Sequence, residues 1–160
     1  MVRVKKRYLV VQIQFENANS RYAQEDIYYA IKDSINKLYG DFGSAAYTSN
    51  LVVKYLNPHT SIFFLQCLRD HYKHVRTAMT FVTVVAKNRC ALTCLKVTAT
   101  MKLAERFLLE FNVKAMNVLY GRCRTLGEKK QMLFYMEEFD IPTKKYTEEL
   151  QTDVDVGGGG

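Results

Sequence analysis

RVKKRYLVVQIQF, residues Arg3 to Phe15, joins two signals on which the reading of the whole chain turns. Arg3, Lys5, Lys6 and Arg7 form a cationic arm with no acid before Glu16. Tyr8 to Phe15 then alternates as a strand does, with Leu9, Val11, Ile13 and Phe15 on one face and Tyr8, Val10, Gln12 and Gln14 on the other. The first face is wholly apolar and suits a core. The second is mixed and suits a wet or partner-covered surface. An arm that seeks phosphate and leads straight into a core strand fixes charge to a rigid scaffold. A plain solvated basic end is the alternative for the arm taken alone.

Outward from this strand, the elements follow in a regular order. Ala23 to Tyr39 reads as a helix with Gln24, Glu25 and Asp26 in its first turn, where acid favours the helix dipole. Ile27, Ala30, Ile31, Ile35 and Leu38 form its apolar stripe, and Gly40 ends it. Gly40 to Gly43 is a glycine-bracketed turn, followed by a second strand over Ser44 to Leu56. Asn57-Pro58-His59 is turn chemistry, and Thr60 to Leu68 is a third strand in an antiparallel hairpin with the second. Arg69 to Thr83 reads as a helix, with Tyr72, Val75, Met79 and Val82 on one side. Ala91 to Thr98 is a fourth strand rich in β-branched residues. Thr100 to Tyr120 is the longest helix, and a further helix runs from about Glu128 to Phe139.

Strand, helix, strand, strand, helix, strand is the split βαβ order of an α+β, ferredoxin-like sandwich: an antiparallel sheet with helices, here extended by an extra C-terminal helix. The expected organisation is a domain over 1–121, a helical extension over 122–141 and an acidic, unstructured tail over 142–160. The long helix is apolar on two sides. Met101, Ala104, Leu108, Phe111, Ala115, Val118 and Leu119 make one stripe, and Leu109, Val113, Met116 and Tyr120 a second. A helix apolar on two sides is buried on two sides, either within this chain or against a partner protein.

Charge is unevenly spread. The net charge of +7 divides into a body, 1–136, with 21 Lys/Arg against 9 Asp/Glu, and a tail, 137–160, with 2 Lys against 7 acids. A basic body points to nucleic acid. Beyond the arm, the basic groups are Lys54 on the second strand, Arg69, Lys73 and Arg76 at about one-turn spacing, and Lys87 and Arg89 in a loop. Phe63 and Phe64 sit on the third strand, where RNA-recognition motifs carry stacking aromatics, but the Gly and Lys/Arg frame of that motif is absent. Recognition of shape and phosphate on folded RNA fits better than base-by-base readout.

Other chemistries find little support. His71 and His74, with Cys90 and Cys94, would have to converge to hold zinc, and the two cysteines lie too far apart along a strand to chelate unaided. No GxGxxG, Walker A or HExxH motif is present, and the nine acids of the body are scattered. No catalytic residue, no metal and no cofactor are assigned to the protein. No apolar run approaches the ~20 residues of a membrane span, so no membrane partner is expected. The basic start leads into a strand of mixed polarity rather than a signal peptide, and the four cysteines are expected as reduced thiols.

Three blocks then resemble a known family. They are Met1 to Leu9 (MVRVKKRYL), Tyr39 to Ala46 (YGDFGSAA), and Val53 to Asn57 (VKYLN) followed by Thr60. They resemble the Pop-five family, small protein subunits of ribonuclease P that eukaryotes share with ribonuclease MRP. The resemblance covers roughly residues 1 to 120. Where the family often has glycine-threonine before the last helix, this chain has Ala99-Thr100.

The resemblance implies an RNA-recognition-motif-like sandwich in a nuclear and nucleolar ribonucleoprotein. That particle removes the 5′ leader of precursor tRNA, and its relative acts on precursor ribosomal RNA. It implies that the catalytic magnesium ions sit on the RNA subunit, and that the protein is a non-catalytic, RNA-binding component of an endoribonuclease. The implied partners are that catalytic RNA, precursor tRNA and other protein subunits, a TIM-barrel one among them. Carried over, the RNA-facing candidates are Arg3, Lys5, Lys6, Arg7, Lys54 and Tyr55, to which the helical spacing adds Arg69, Lys73 and Arg76. Gly40 and Gly43 become positions of special backbone geometry, and Ala45 and Ala46 positions of close packing. The partner-protein face is placed on Leu109, Val113, Met116 and Tyr120. The competing reading is a protein–protein adaptor that uses the long helix, its basic surface incidental.

Overall fold

A computed structural model describes residues 4–17, 20–58 and 60–138, with side chains through 134. Arg3, His59 and the acidic segment 142–160 lie outside the described residues. In chain order the elements are β1 (Lys6–Phe15), α1 (Gln24–Thr48), β2 (Val52–Asn57), β3 (Ile62–Leu68), α2 (Tyr72–Thr80), β4 (Val84–Val85), β5 (Asn88–Thr98), α3 (Met101–Arg122) and α4 (Leu126–Glu138). The chain divides into two compact units, 1–105 and 106–160, with the boundary inside α3.

The first unit is the α+β sandwich. Its antiparallel sheet has the order β2-β3-β1-β5-β4. Each βαβ segment leaves room for one strand: β3 sits between β1 and β2, and β1 between β3 and β5. This is the split arrangement expected from the element order. Leu9, Val11 and Ile13 of β1 are fully buried with Ile27, Ile31 and Ile35 of α1 and with Val75 and Met79 of α2. The opposite sheet face is also buried at Val10, Ile62 and Phe64. Its polar members sort by position, Gln66 buried and Gln14 exposed.

Two ladders carry an extra residue. Between Val53 and Tyr55 the β2–β3 register shifts, leaving Lys54 opposite no residue. Between Val10 and Val11 the β1–β5 register shifts, leaving Leu95 unpaired in β5. A bulge re-aims the side chain it carries and blunts a strand edge. The Gln24 side-chain amide also donates to the Val53 carbonyl, which closes part of the β2 edge.

Three expectations are corrected. The segment 44–48 is helix, not strand: α1 breaks at Gly40 (φ 65°, ψ −163°) and resumes to Thr48. The reason is tertiary. Tyr47 stacks on His74 at 4.8 Å with the rings 10° apart, and meets the edge of Tyr39 at 5.2 Å, which anchors the second helical piece to α2. Gly43 does not adopt special backbone angles. It is helical, and a Cβ there would run into the Cβ of Tyr39. Ala45 is exposed, so its small size serves no packing. A short hairpin, β4 to β5, was not read from the sequence. Its two central residues, Ala86 (φ 49°) and Lys87 (φ 65°), take the left-handed angles of a type I′ turn without the Asn-Gly that announces one.

In the second unit, Tyr120 of α3 and Leu133 of α4 are buried together, with Val113, Met116 and Met132 packed around them. The start of α4 is a capping box. Glu128 N–H donates to the Thr125 hydroxyl at 3.3 Å, and the Glu128 carboxylate accepts from the N–H groups of Thr125 (3.3 Å) and Arg124 (3.0 Å).

Candidate nucleic-acid interface

The arm is not a loose end. β1 begins at Lys6, so Lys6 and Arg7 are held in the ladder opposite Leu68 and Cys67. One residue earlier, the Lys5 carbonyl accepts from Arg69 N–H at 2.9 Å. Arg69 is thereby clamped beside the arm by the β1–β3 pairing. Lys5, Lys6 and Arg69 are exposed. Arg7 is half-buried on the helix-covered face, and its Nη1 donates to the Lys6 carbonyl at 3.0 Å. Burial pushes the neighbouring Cys67 thiol up to about 12, with Cys94 adding to the rise and the Arg7 charge opposing it.

Across from the arm, β5 ends and α3 begins. Tyr8 lies opposite Thr98 in the ladder. The Thr98 hydroxyl lies 3.3 Å from the Tyr8 carbonyl and 3.1 Å from the Thr100 carbonyl, tying the first strand to the start of α3. Thr100 caps that helix, its hydroxyl accepting from Leu103 N–H at 3.4 Å. Between these walls lies a cleft of about 630 Å³, lined by Val4 to Tyr8 on one side and Ala99 to Met101 on the other. The first turn of α3 carries no acid and does carry Lys102. A helix N-terminus is already electropositive, so cations around it raise the potential further. The ion pairs Lys37–Asp33 and Arg106–Glu110 involve none of these groups. An anion with several oxygens would relieve this concentration of charge.

The other candidates separate into two further places. Lys73 and Arg76 are exposed on α2, where they line a shallow depression of about 360 Å³ with Thr77 and Thr80. Arg76 also lies near Cys94 of β5, lowering a thiol that burial otherwise raises. Lys54 stands exposed at the β2 bulge. Tyr55 packs on Phe64 at 4.9 Å between ring centres. β3 intervenes between β2 and β1, so Lys54 and Tyr55 stand two strand spacings, about 10 Å, to the side of β1, and level with Leu9 and Val10 rather than with the arm. Phe63 and Phe64 are buried and offer no stacking surface. The sequence assigns none of Tyr8, Thr100, Met101 and Lys102 to the RNA-facing set: Tyr8 reads only as part of a strand face, Thr100 and Met101 only as part of the long helix, and the strand ladder alone brings them to the arm.

The stripe assigned to a partner protein is largely occupied from within. Val113, Met116 and Tyr120 pack against Met132 and Leu133 of α4, and Lys129 Nζ lies 5.5 Å from the centre of the Tyr120 ring. Leu109 is the exposed member, at 49%. Val118, Leu119 and Leu126 add exposed apolar surface in the same unit. The histidines have an aromatic role: Tyr47 lies 5.0 Å from His71 and stacks on His74. Cys90 and Cys94 face the helix-covered side, and burial raises both thiols. Among the described residues, no group of three or more His, Cys, Asp or Glu is placed to hold a metal ion.

Comparison with known proteins bears on this arrangement. Residues 7–109 match the model of the Rpp14/Pop5 family. A Danio rerio protein named ribonuclease P/MRP protein subunit POP5 is 31% identical over 140 residues, covering 82% of this chain and 83% of that protein. The Mus musculus protein of the same name is 29% identical over 156 residues, covering 94% and 92%. The Saccharomyces cerevisiae one is 26% identical over 161 residues, covering 87% and 92%. Among solved structures, a chain in the cryo-EM structure of yeast ribonuclease MRP aligns over 88% of this chain and 95% of its own length, with a TM-score of 0.48 and 9% identity.

Proposed function

The chain belongs to the Rpp14/Pop5 family, and from that premise we propose that it is a non-catalytic, RNA-binding protein subunit of ribonuclease P, shared with ribonuclease MRP. The observation that carries this reading is the basic end of the sheet. Lys5, Lys6, Arg7 and Arg69 are locked together by the β1–β3 ladder beside an acid-free helix start. In this reading the protein supplies positive charge on a rigid frame, and each cation that meets a phosphate releases condensed counterions. Phosphates that would repel one another are thereby allowed to approach as the RNA compacts. Bond cleavage, with its magnesium ions, is assigned to the RNA subunit. The work proposed for the whole particle is removal of the 5′ leader of precursor tRNA, with ribosomal RNA processing by the related enzyme. The proposed location is the nucleus and nucleolus.

Other protein subunits, a TIM-barrel one included, are proposed to dock on the exposed apolar side chains of the second unit. There Leu109 is kept from the original stripe, and Val118 and Leu119 are added.

The test is RNA affinity as a function of salt. With four phosphate contacts, affinity falls about 10²-fold between 50 and 200 mM salt. Lys5→Glu combined with Lys6→Glu is expected to weaken binding to the catalytic RNA at least tenfold and to reduce the log–log salt slope by about 2. An affinity for that RNA unchanged by the double reversal at physiological salt would refute the reading.

A further inference from the structure

We infer that the cleft between the arm and the start of α3 receives a single unstacked RNA nucleotide, its phosphate on Lys5 and Lys6 and its base against Tyr8. This inference rests on the RNA-binding reading and sharpens it.

The walls are not those of a site for phosphate alone. A groove that only tracks a backbone needs cations, and this one is also lined by the aromatic Tyr8 and the apolar Val4 and Met101. Cations beside an aromatic ring suit a ligand that is flat and apolar at one end and anionic at the other, which describes a nucleotide. Size agrees. About 630 Å³ lies within the range of pockets that enclose small molecules. An A-form duplex is far too wide to enter, and one extruded nucleotide is not. Tyr8 lines the cleft and is half-buried, so it is partly held by its neighbours and partly open to a ligand. Thr98 fixes both walls, holding the Tyr8 backbone on one side and the Thr100 backbone on the other. Among the described lining residues there is no carboxylate or side-chain amide, and Arg7, whose guanidinium could meet a guanine edge, already donates to the Lys6 carbonyl, so stacking more than edge readout ranks the bases.

Unpairing a base costs energy, so an already unpaired nucleotide is the favoured ligand. The experiment uses the full chain and two RNA hairpins that differ only by one unpaired adenosine, with binding followed by fluorescence anisotropy at fixed salt. The bulged hairpin is expected to bind about tenfold more tightly, within the range typical of one base stacked on an aromatic ring. Tyr8→Leu is expected to bring that ratio to within about twofold of one, and Tyr8→Phe to retain it. A 2-aminopurine placed at the bulge is expected to lose fluorescence on binding the native protein and Tyr8→Phe, and not on binding Tyr8→Leu. Equal affinities for the two hairpins, or a tenfold ratio that survives Tyr8→Leu, would overturn the nucleotide site. If those equal affinities still fall steeply with salt, the RNA-binding reading stands. If neither hairpin responds to salt, that reading fails as well. Displacement of the bulged hairpin by adenosine 5′-monophosphate at a comparable concentration would assign the cleft to free mononucleotides and overturn the claim for RNA.

Discussion

Gly40 and Gly43 sit three residues apart and are required for different reasons. At φ 65° and ψ −163°, Gly40 occupies backbone space that residues with a Cβ essentially never adopt, and there is no neighbour within 4 Å for a Cβ to meet. Its cost of substitution is therefore backbone strain alone, and Gly40→Ala is expected to destabilise the fold by about 1–3 kcal/mol. Gly43 has ordinary helical angles, but a Cβ there collides with Tyr39. Gly43→Ala is expected to cost a comparable amount through overpacking. Denaturant midpoints measure both. Gly40→Asn is expected to lose about as much as Gly40→Ala, because the tolerance of asparagine for positive φ is for the left-handed helical region and does not extend to ψ −163°. The sequence makes both glycines conspicuous as a turn. It does not separate strain from collision, because the second depends on where the Tyr39 side chain goes, and that is decided by Tyr47 later in α1 and by His74 on the neighbouring helix α2.

At the scale of elements, legibility follows how local the cause is. β1 was read from its alternation, because the apolar face and the buried face coincide residue for residue at Leu9, Val11 and Ile13. The stretch 44–48 was misread because Ser-Ala-Ala-Tyr-Thr is permissive for helix and strand alike, and a distant aromatic contact chose. The start of α4 is the opposite case: Thr125 and Glu128 spell a capping box in the sequence, yet a start at Glu128 is two residues later than the observed start at Leu126. That cap is testable. Thr125→Ala is expected to cost about 0.5–2 kcal/mol in the stability of the second unit. The hydrogen bonds from Thr125 and Arg124 N–H hold the Glu128 carboxyl below its ordinary value. A carboxyl lowered in the folded state contributes stability that is full above the ordinary carboxylate pKa, declines below it and is lost as pH falls through the lowered, folded-state value. Helix content by circular dichroism is therefore expected to fall on acidification below about pH 4.3 more in the native chain than in Glu128→Gln, which has no charge to lose. Equal losses in the two would mean that the cap does not hold in solution.

For the molecule as a whole, the basic surplus was visible in composition, but its geography was not. Nothing in the order of residues says that Lys5 and Arg69 share one end of the sheet while Lys54 sits on its edge strand. The β1–β3 pairing says so, through the Lys5 carbonyl and Arg69 N–H on one side and the intervening strand on the other. This geography fixes which losses of affinity should couple. Lys5 and Arg69 are adjacent, so a phosphate held between them is shared, and removing either cation changes what the other contributes. Lys5→Gln combined with Arg69→Gln is therefore expected to depart from the sum of the single effects on RNA binding by at least about 0.5 kcal/mol. Lys5→Gln combined with Lys54→Gln is expected to be additive within about 0.5 kcal/mol, since two strand spacings separate the sites and no partner is shared. Each single loss is expected to lower the salt slope by about 0.9 if its cation meets a phosphate. The cycle measured at two salt concentrations thus separates a continuous RNA path along the sheet end from scattered contacts over the surface. Strong coupling of Lys5 with Lys54, and none with Arg69, would mean that the RNA crosses the sheet and that the cleft at its end is not where the chain meets it.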